Sequence, residues 1–175
     1  MSLEFSILQW FQTLHCAPLD ALSVFFNAAG AHGELWIALT ALLLLFRRTR
    51  KVGAAAALAL VFYFLTCHMG LKPLIARPRP CDLDPSVPLL VARPYGWSFP
   101  SGHTASGFAA ATAILFEKSR LGPYAVALAA FIGLTRLYLY VHFPSDVLAG
   151  ALIGTVLGYA AAKCVDALAR KRTTH

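Results

Sequence analysis

Apolar positions in this chain come in long blocks, not in the short alternations of a half-buried sheet. Val52 to Leu71 carries no Asp, Glu, Lys or Arg, and the same holds for Ser101 to Phe116, Leu121 to Thr135 and Val147 to Ala162. Each block approaches the ~20 residues that an α-helix needs to cross a bilayer. The pattern predicts helices over about 31–46, over 52–71, from Ser101 to the Glu117–Arg120 region, over 122–141, and from near Pro144 to the C-terminal tail. Between the second and third lies a segment, 72–100, with seven of the ten prolines and no apolar run of spanning length. The first thirty residues are mixed, with Glu4, Gln9, Gln12, His15, Pro18 and Asp20 among apolar positions. Pro18 breaks any single long helix there. An interfacial helix (about 3–15) and a shorter one (about 19–29) are expected, with a sixth spanning helix as the alternative.

Composition agrees with a membrane fold. Apolar residues make up 58% of the 175 positions and charged residues 13%, about half the ~25% usual in soluble domains. A soluble bundle would lack the polar surface to cover itself. The expected fold class is therefore all-α: one domain over residues 1–175, a polytopic helical bundle of five or six transmembrane helices with a long external loop, 72–100. The net charge of +7 does not imply a nucleic-acid partner, because the basic residues sit between the apolar blocks. Arg47, Arg48, Arg50 and Lys51 form one cluster, Lys118 and Arg120 a second, Arg170, Lys171 and Arg172 a third. By the positive-inside rule all three, and the C-terminus, are cytoplasmic. Cys16, Cys67, Cys81 and Cys164 have neither metal nor disulfide spacing. No basic stretch precedes residue 47, so the N-terminus is expected to be retained.

The remaining charged residues break that rule together. Lys72, Arg77, Arg79, Arg93, His103, Arg136, His142 and Asp146 all map to the outer face in this topology. Arg136 lies at the end of an apolar segment, where a charge is costly and usually functional. Converging Lys and Arg suit an anion, and the planar fork of Arg suits phosphate. Pro100 and Ser101 mark a helix start, with Ser101 the expected N-cap, whose free N–H groups can receive a phosphate oxygen. Gly102 would allow close approach, and His103 follows on that turn. His142 falls in a tight outer turn ahead of Pro144. Asp146 then lies in the first turn of the next helix, close enough to hold the ring. Asp82 and Asp84, in the proline-rich loop, do not form a magnesium site.

These segments resemble the type 2 phosphatidic acid phosphatase family. The three-part pattern reads Lys72-Pro-Leu-Ile-Ala-Arg-Pro-Arg79-Pro80, then Pro100-Ser101-Gly102-His103, then Thr135-Arg136 with His142 and Asp146. The family usually has Ser where this chain has Thr135, and the N-terminal region is shorter than usual. The resemblance implies an integral membrane enzyme with no cofactor. His142 would form a phosphohistidine, with Asp146 orienting it. His103 would serve as acid and then base. Lys72, Arg79, Ser101, Gly102 and Arg136 would hold the phosphate. The implied substrate is a lipid phosphate, undecaprenyl diphosphate first, on the extracytoplasmic face of the plasma membrane. Phosphatidylglycerophosphate and phosphatidate are alternatives. The same pattern resembles the soluble vanadium haloperoxidases, against which the hydropathy argues. A non-catalytic anion-binding membrane protein or transporter is the reading from another class.

Overall fold

The computed structural model describes residues 3–30 and 33–173. Among them the fold is all-helical. Helix α1 spans Leu3–Gln12, α2 Ala17–Ala29, α3 Glu34–Leu45 and α4 Arg50–Tyr63. Helix α4 runs on as a π-helix, Phe64–Leu71, into the short α5, Lys72–Ile75. The proline-rich stretch then holds only one further turn, α6, Pro80–Leu83. Helices α7, Gly102–Phe116, α8, Gly122–Tyr138, and α9, Pro144–Thr173, complete the chain.

Helix boundaries follow local chemistry. Pro18 does separate α1 from α2, but from inside the first turn of α2, where its missing N–H is harmless. That is why α2 starts two residues before the expected 19. Pro123 and Pro144 open α8 and α9 in the same way.

Helix α7 forms the centre, packed against α4, α8 and α9. Close approach depends on small residues. Ala105, Ala109 and Ala113 of α7 are fully buried. They face Gly150, Gly154 and Gly158, which recur every fourth residue along one side of α9; a Cβ on Gly154 would collide with the Ala105 carbonyl. The opposite side of α9 presents Leu148, Leu152 and Val156, each about two-thirds exposed. An apolar outer face over a small-residue inner face suits a helix packed in lipid.

Among the described residues two helical stretches, the one starting at Arg50 and α9, are long and apolar enough to cross a membrane, or three with α2 and α3 as one bent span. Helices α7 and α8, with 15 and 17 residues, are shorter than the ~20 of a full span. The bundle has two chemically distinct ends. At one, Lys51 pairs with Glu117 at 2.9 Å and with Asp166, joining the start of α4 to the ends of α7 and α9. At the other lie the end of the π-helix and the starts of α7 and α9.

Candidate active site

This second end of the bundle gathers side chains from several separate stretches. Arg79 stands just before α6, and its guanidinium reaches the turn between α8 and α9. It donates through Nε to the Gly96 carbonyl at 2.9 Å and through Nη1 to the Val141 carbonyl at 3.0 Å. The same Nη1 lies 3.2 Å from Nε2 of His142. Arginine has only donors, so Nε2 is the acceptor and the ring proton belongs on Nδ1. Nδ1 faces Ser98 Oγ at 3.3 Å, and Ser98 Oγ donates to Asp146 Oδ2 at 2.5 Å. The direct distance from His142 Nδ1 to Asp146 Oδ2 is 3.7 Å. Asp146 therefore holds the ring mainly through Ser98, not by the direct contact that the four-residue spacing suggests. The Phe143 N–H donates to the same carboxylate oxygen at 2.9 Å.

Arg136, fully buried in the last turn of α8, donates to Asn27 Oδ1 on α2 at 2.8 Å and to Thr135 Oγ1 at 2.8 Å. Its Nε also faces the Ile132 carbonyl at 3.3 Å. Lys72 donates to the Trp97 carbonyl at 2.8 Å. It lies within electrostatic reach of Arg79 and Asp146, and Arg136 within reach of Arg79. The side-chain hydrogen bonds of Lys72, Arg79 and Arg136 thus run to neutral groups. Three cations close together without a carboxylate of their own are costly to bury, and an anion between them removes that cost.

Ser101 occupies the N-cap position of α7 but makes no side-chain cap. Its hydroxyl instead accepts from Thr104 Oγ1 at 2.9 Å, and its N–H bonds the Asp146 carbonyl at 3.1 Å. The uncapped first turn keeps its N–H groups for a ligand. Gly102 faces Tyr63 and Lys72: a Cβ there would meet the Tyr63 hydroxyl at 3.0 Å and Lys72 Cε at 3.8 Å. His103 lies against α2, with Nε2 3.4 Å from the Asn27 carbonyl, and within electrostatic reach of Arg136, His142 and Arg79. No hydrogen bond joins it to His142.

Every site residue expected from the sequence reaches this end of the bundle. Ser98, Asn27, Arg77 and Glu4 join them without having been singled out for these contacts. Asp82 and Asp84 are engaged locally: Asp82 caps α6, and Asp84 accepts from Ser86 and Tyr140. Among the described residues no cluster of three or more His, Cys, Asp or Glu could hold a metal.

Comparison with known proteins shows the family. Residues 50–170 match the PAP2 superfamily. An undecaprenyl-diphosphatase of Sulfolobus acidocaldarius is 33% identical over 144 residues, covering 82% of this chain and 69% of that one. A lipid A 4'-phosphatase of Bacteroides thetaiotaomicron is 38% identical over 112 residues, covering 60% of this chain and 50% of that one. The crystal structure of Aquifex aeolicus LpxE superposes with a TM-score of 0.74 at 32% identity, covering 93% of this chain and 96% of that one. A PAP2-type phosphatidylglycerolphosphate phosphatase from Bacillus subtilis shares the fold, with a TM-score of 0.72 at 24% identity. The chain belongs to the PAP2 superfamily and is one of its phosphatases.

Proposed function

We propose that this PAP2-superfamily phosphatase hydrolyses the phosphate or diphosphate head group of a membrane lipid through a phosphohistidine on His142, with undecaprenyl diphosphate as the favoured substrate. The observation that carries the reading is the position of Arg79 against the Nε2 lone pair of His142, with Lys72 and Arg136 each within electrostatic reach of Arg79 and all three side chains bonded to neutral groups. Phosphate oxygens would take the three cations, the Ser101 hydroxyl and the Gly102 N–H as partners. Nε2 attacks phosphorus and the bond to the leaving oxygen breaks. His103 gives that oxygen a proton. Positive charge on the ring is met by Ser98 and Asp146. In the second step His103 takes a proton from water, the water oxygen attacks phosphorus, and the P–N bond breaks. The scheme requires no metal ion.

In this reading five or six helices cross the plasma membrane, α1 lies at the interface, and the site faces outward. The end of the bundle at Lys51, with the C-terminal tail, is cytoplasmic, as the basic clusters require. Residues 1–175 act as one catalytic unit, since α1 and α2 supply Glu4 and Asn27 to the site. Identity to the Sulfolobus undecaprenyl-diphosphatase over 82% of the chain supports the diphosphate. Likeness to the lipid A 4'-phosphatase makes a phosphorylated saccharolipid the second candidate. The test is phosphate release by purified protein from undecaprenyl diphosphate, lipid A, phosphatidylglycerophosphate and phosphatidate, with and without EDTA and vanadate. Fastest release from the diphosphate, blocked by vanadate and indifferent to EDTA, is expected. No release from any of the four would overturn the reading.

A further inference from the structure

Asp146 has two carboxylate oxygens with different partners. Oδ2 takes Ser98 and the Phe143 N–H, as described. Oδ1 takes Arg77 Nη1 at 2.6 Å. The same guanidinium donates to Ser145 Oγ at 2.7 Å and stacks over the Phe143 ring, 4.1 Å from its centroid. Its Nη2 donates to Glu4 Oε2, on α1, at 2.6 Å. The other oxygen of Glu4 accepts from Ser145, from the hydroxyl at 2.6 Å and from the N–H at 3.2 Å. Glu4 therefore supplies, from 141 residues away, the acceptor for the exposed start of α9. That start carries Asp146.

We propose that Arg77 is a positioning residue of the phosphatase reaction, acting through Asp146, and that Glu4 makes α1 part of the active-site support. The proposal rests on the reading of His142 as nucleophile and Asp146 as its orienting group. Arg77 fixes the free oxygen of Asp146, so the other oxygen can only point at Ser98 and the His142 ring. Charge explains why Glu4 belongs to the set. Arg77 alone would neutralise Asp146 and weaken its hold on a positively charged ring. With Glu4 added, the trio keeps one net negative charge facing His142. The Arg77 side chain bonds to Ser145, Asp146 and Glu4 and not to Arg79 or His142, so its role differs from that of the proposed phosphate-binding cations.

The test is a double-mutant cycle in the full-length protein in detergent, with p-nitrophenyl phosphate as substrate and trapping of the radiolabelled phosphoenzyme as control. Arg77→Gln should lower kcat by roughly tenfold to a hundredfold, the scale of a small misplacement of a reacting group, with KM little changed. Glu4→Gln should lower kcat less, and Arg77→Lys should recover part of the loss. In an Asp146→Asn background neither Arg77→Gln nor Glu4→Gln should lower kcat further, because effects passing through one group are not additive. Losses that add in that background, or a wild-type kcat in both single variants, would overturn the proposal. If Arg77→Gln does not fold, Glu4→Gln alone carries the same cycle. Absence of label on His142 in the wild type would instead overturn the reading of the site itself.

Discussion

Arg79 donates to Nε2 of His142 across 3.2 Å, so the guanidinium lies against the ring nitrogen that carries the lone pair. A phosphate bound to Arg79 would present its phosphorus to that nitrogen. In the proposed mechanism the cation holds the ring in the tautomer needed for attack and marks where the anion would go. Removing a donor aimed at developing charge costs ~3 kcal/mol, about a hundredfold in rate. Arg79→Ala and Arg136→Ala should each lose at least that much in kcat/KM. Arg77→Ala should lose less, since Arg77 reaches Asp146 and not the phosphate position. Equal losses at 77 and 79, measured on one lipid phosphate, would contradict this division.

Ser98 stands between His142 and Asp146, with 3.3 Å to the ring and 2.5 Å to the carboxylate. Ser98→Ala should lower kcat while leaving the fold intact, because it removes one buried hydroxyl and keeps the side-chain carbon in place. Asp146→Asn should lower kcat further, since it removes the charge that favours the imidazolium. The check is single-turnover kinetics alongside thermal unfolding of each variant. A Ser98→Ala protein as fast as the wild type would mean that the ring is held by Asp146 directly.

The helices and most of the site were legible in the chain because both depend on local features. Charge-free blocks mark the helices, and prolines mark their starts. The family pattern that the chain resembles selects Arg79 over Arg77, and Arg79 is the one at His142. Ser98, Asn27 and Glu4 were not legible in their roles, for a common reason. Their partners lie 48, 109 and 73 residues away in sequence, and polar residues beside helix ends are ordinary. The four-residue step from His142 to Asp146 places both at one turn but does not tell whether a serine intervenes. The π-helical stretch before Lys72 leaves no mark in hydropathy.

Burial drives the ring of His142 down from its usual 6.5 to about 3, helped by the nearby cations Arg79 and Lys72 and opposed by Asp146. The folded protein keeps the ring neutral where the unfolded chain would protonate it. Between ~3 and ~6.5 the unfolded state then binds one more proton, so stability rises with pH through that window. Melting temperatures in detergent should climb from pH 4.5 to pH 7, and His142→Gln should flatten the climb. An equal slope in the variant would assign the pH dependence to other groups.

Gly154 and Gly158 sit where a Cβ would meet the backbone of α7. Alanine at either position cannot be relieved by a rotamer change and must push α9 away from α7. Each should cost about 1–3 kcal/mol, the range for overpacking a close contact. Leu152→Ala, on the outer face of the same helix, should change stability little. The measurement is thermal unfolding of the three variants in one detergent. Tolerance of Gly154→Ala would mean that the two helices are held less closely than the geometry requires.

His103 and His142 lie at the same end of the bundle but in different surroundings. His142 is sealed between Arg79, Ser98 and Asp146, whereas His103 leans against α2 near Asn27. The division of labour predicts different failures. His142→Ala should abolish both phosphate release and any covalent phosphoenzyme, because no other ring nitrogen is held against Arg79. His103→Ala removes the acid of the first step and the base of the second. Its loss in the first step should be smaller with a good leaving group, such as an aryl phosphate or a diphosphate, than with an alkyl phosphate. With the good leaving group the second step becomes limiting, so labelled phosphoenzyme should accumulate in His103→Ala above the wild-type level. The experiment is a quench without acid, using radiolabelled substrate, followed by mapping of the labelled histidine. Label on residue 103, or turnover by His142→Ala, would reverse the two roles.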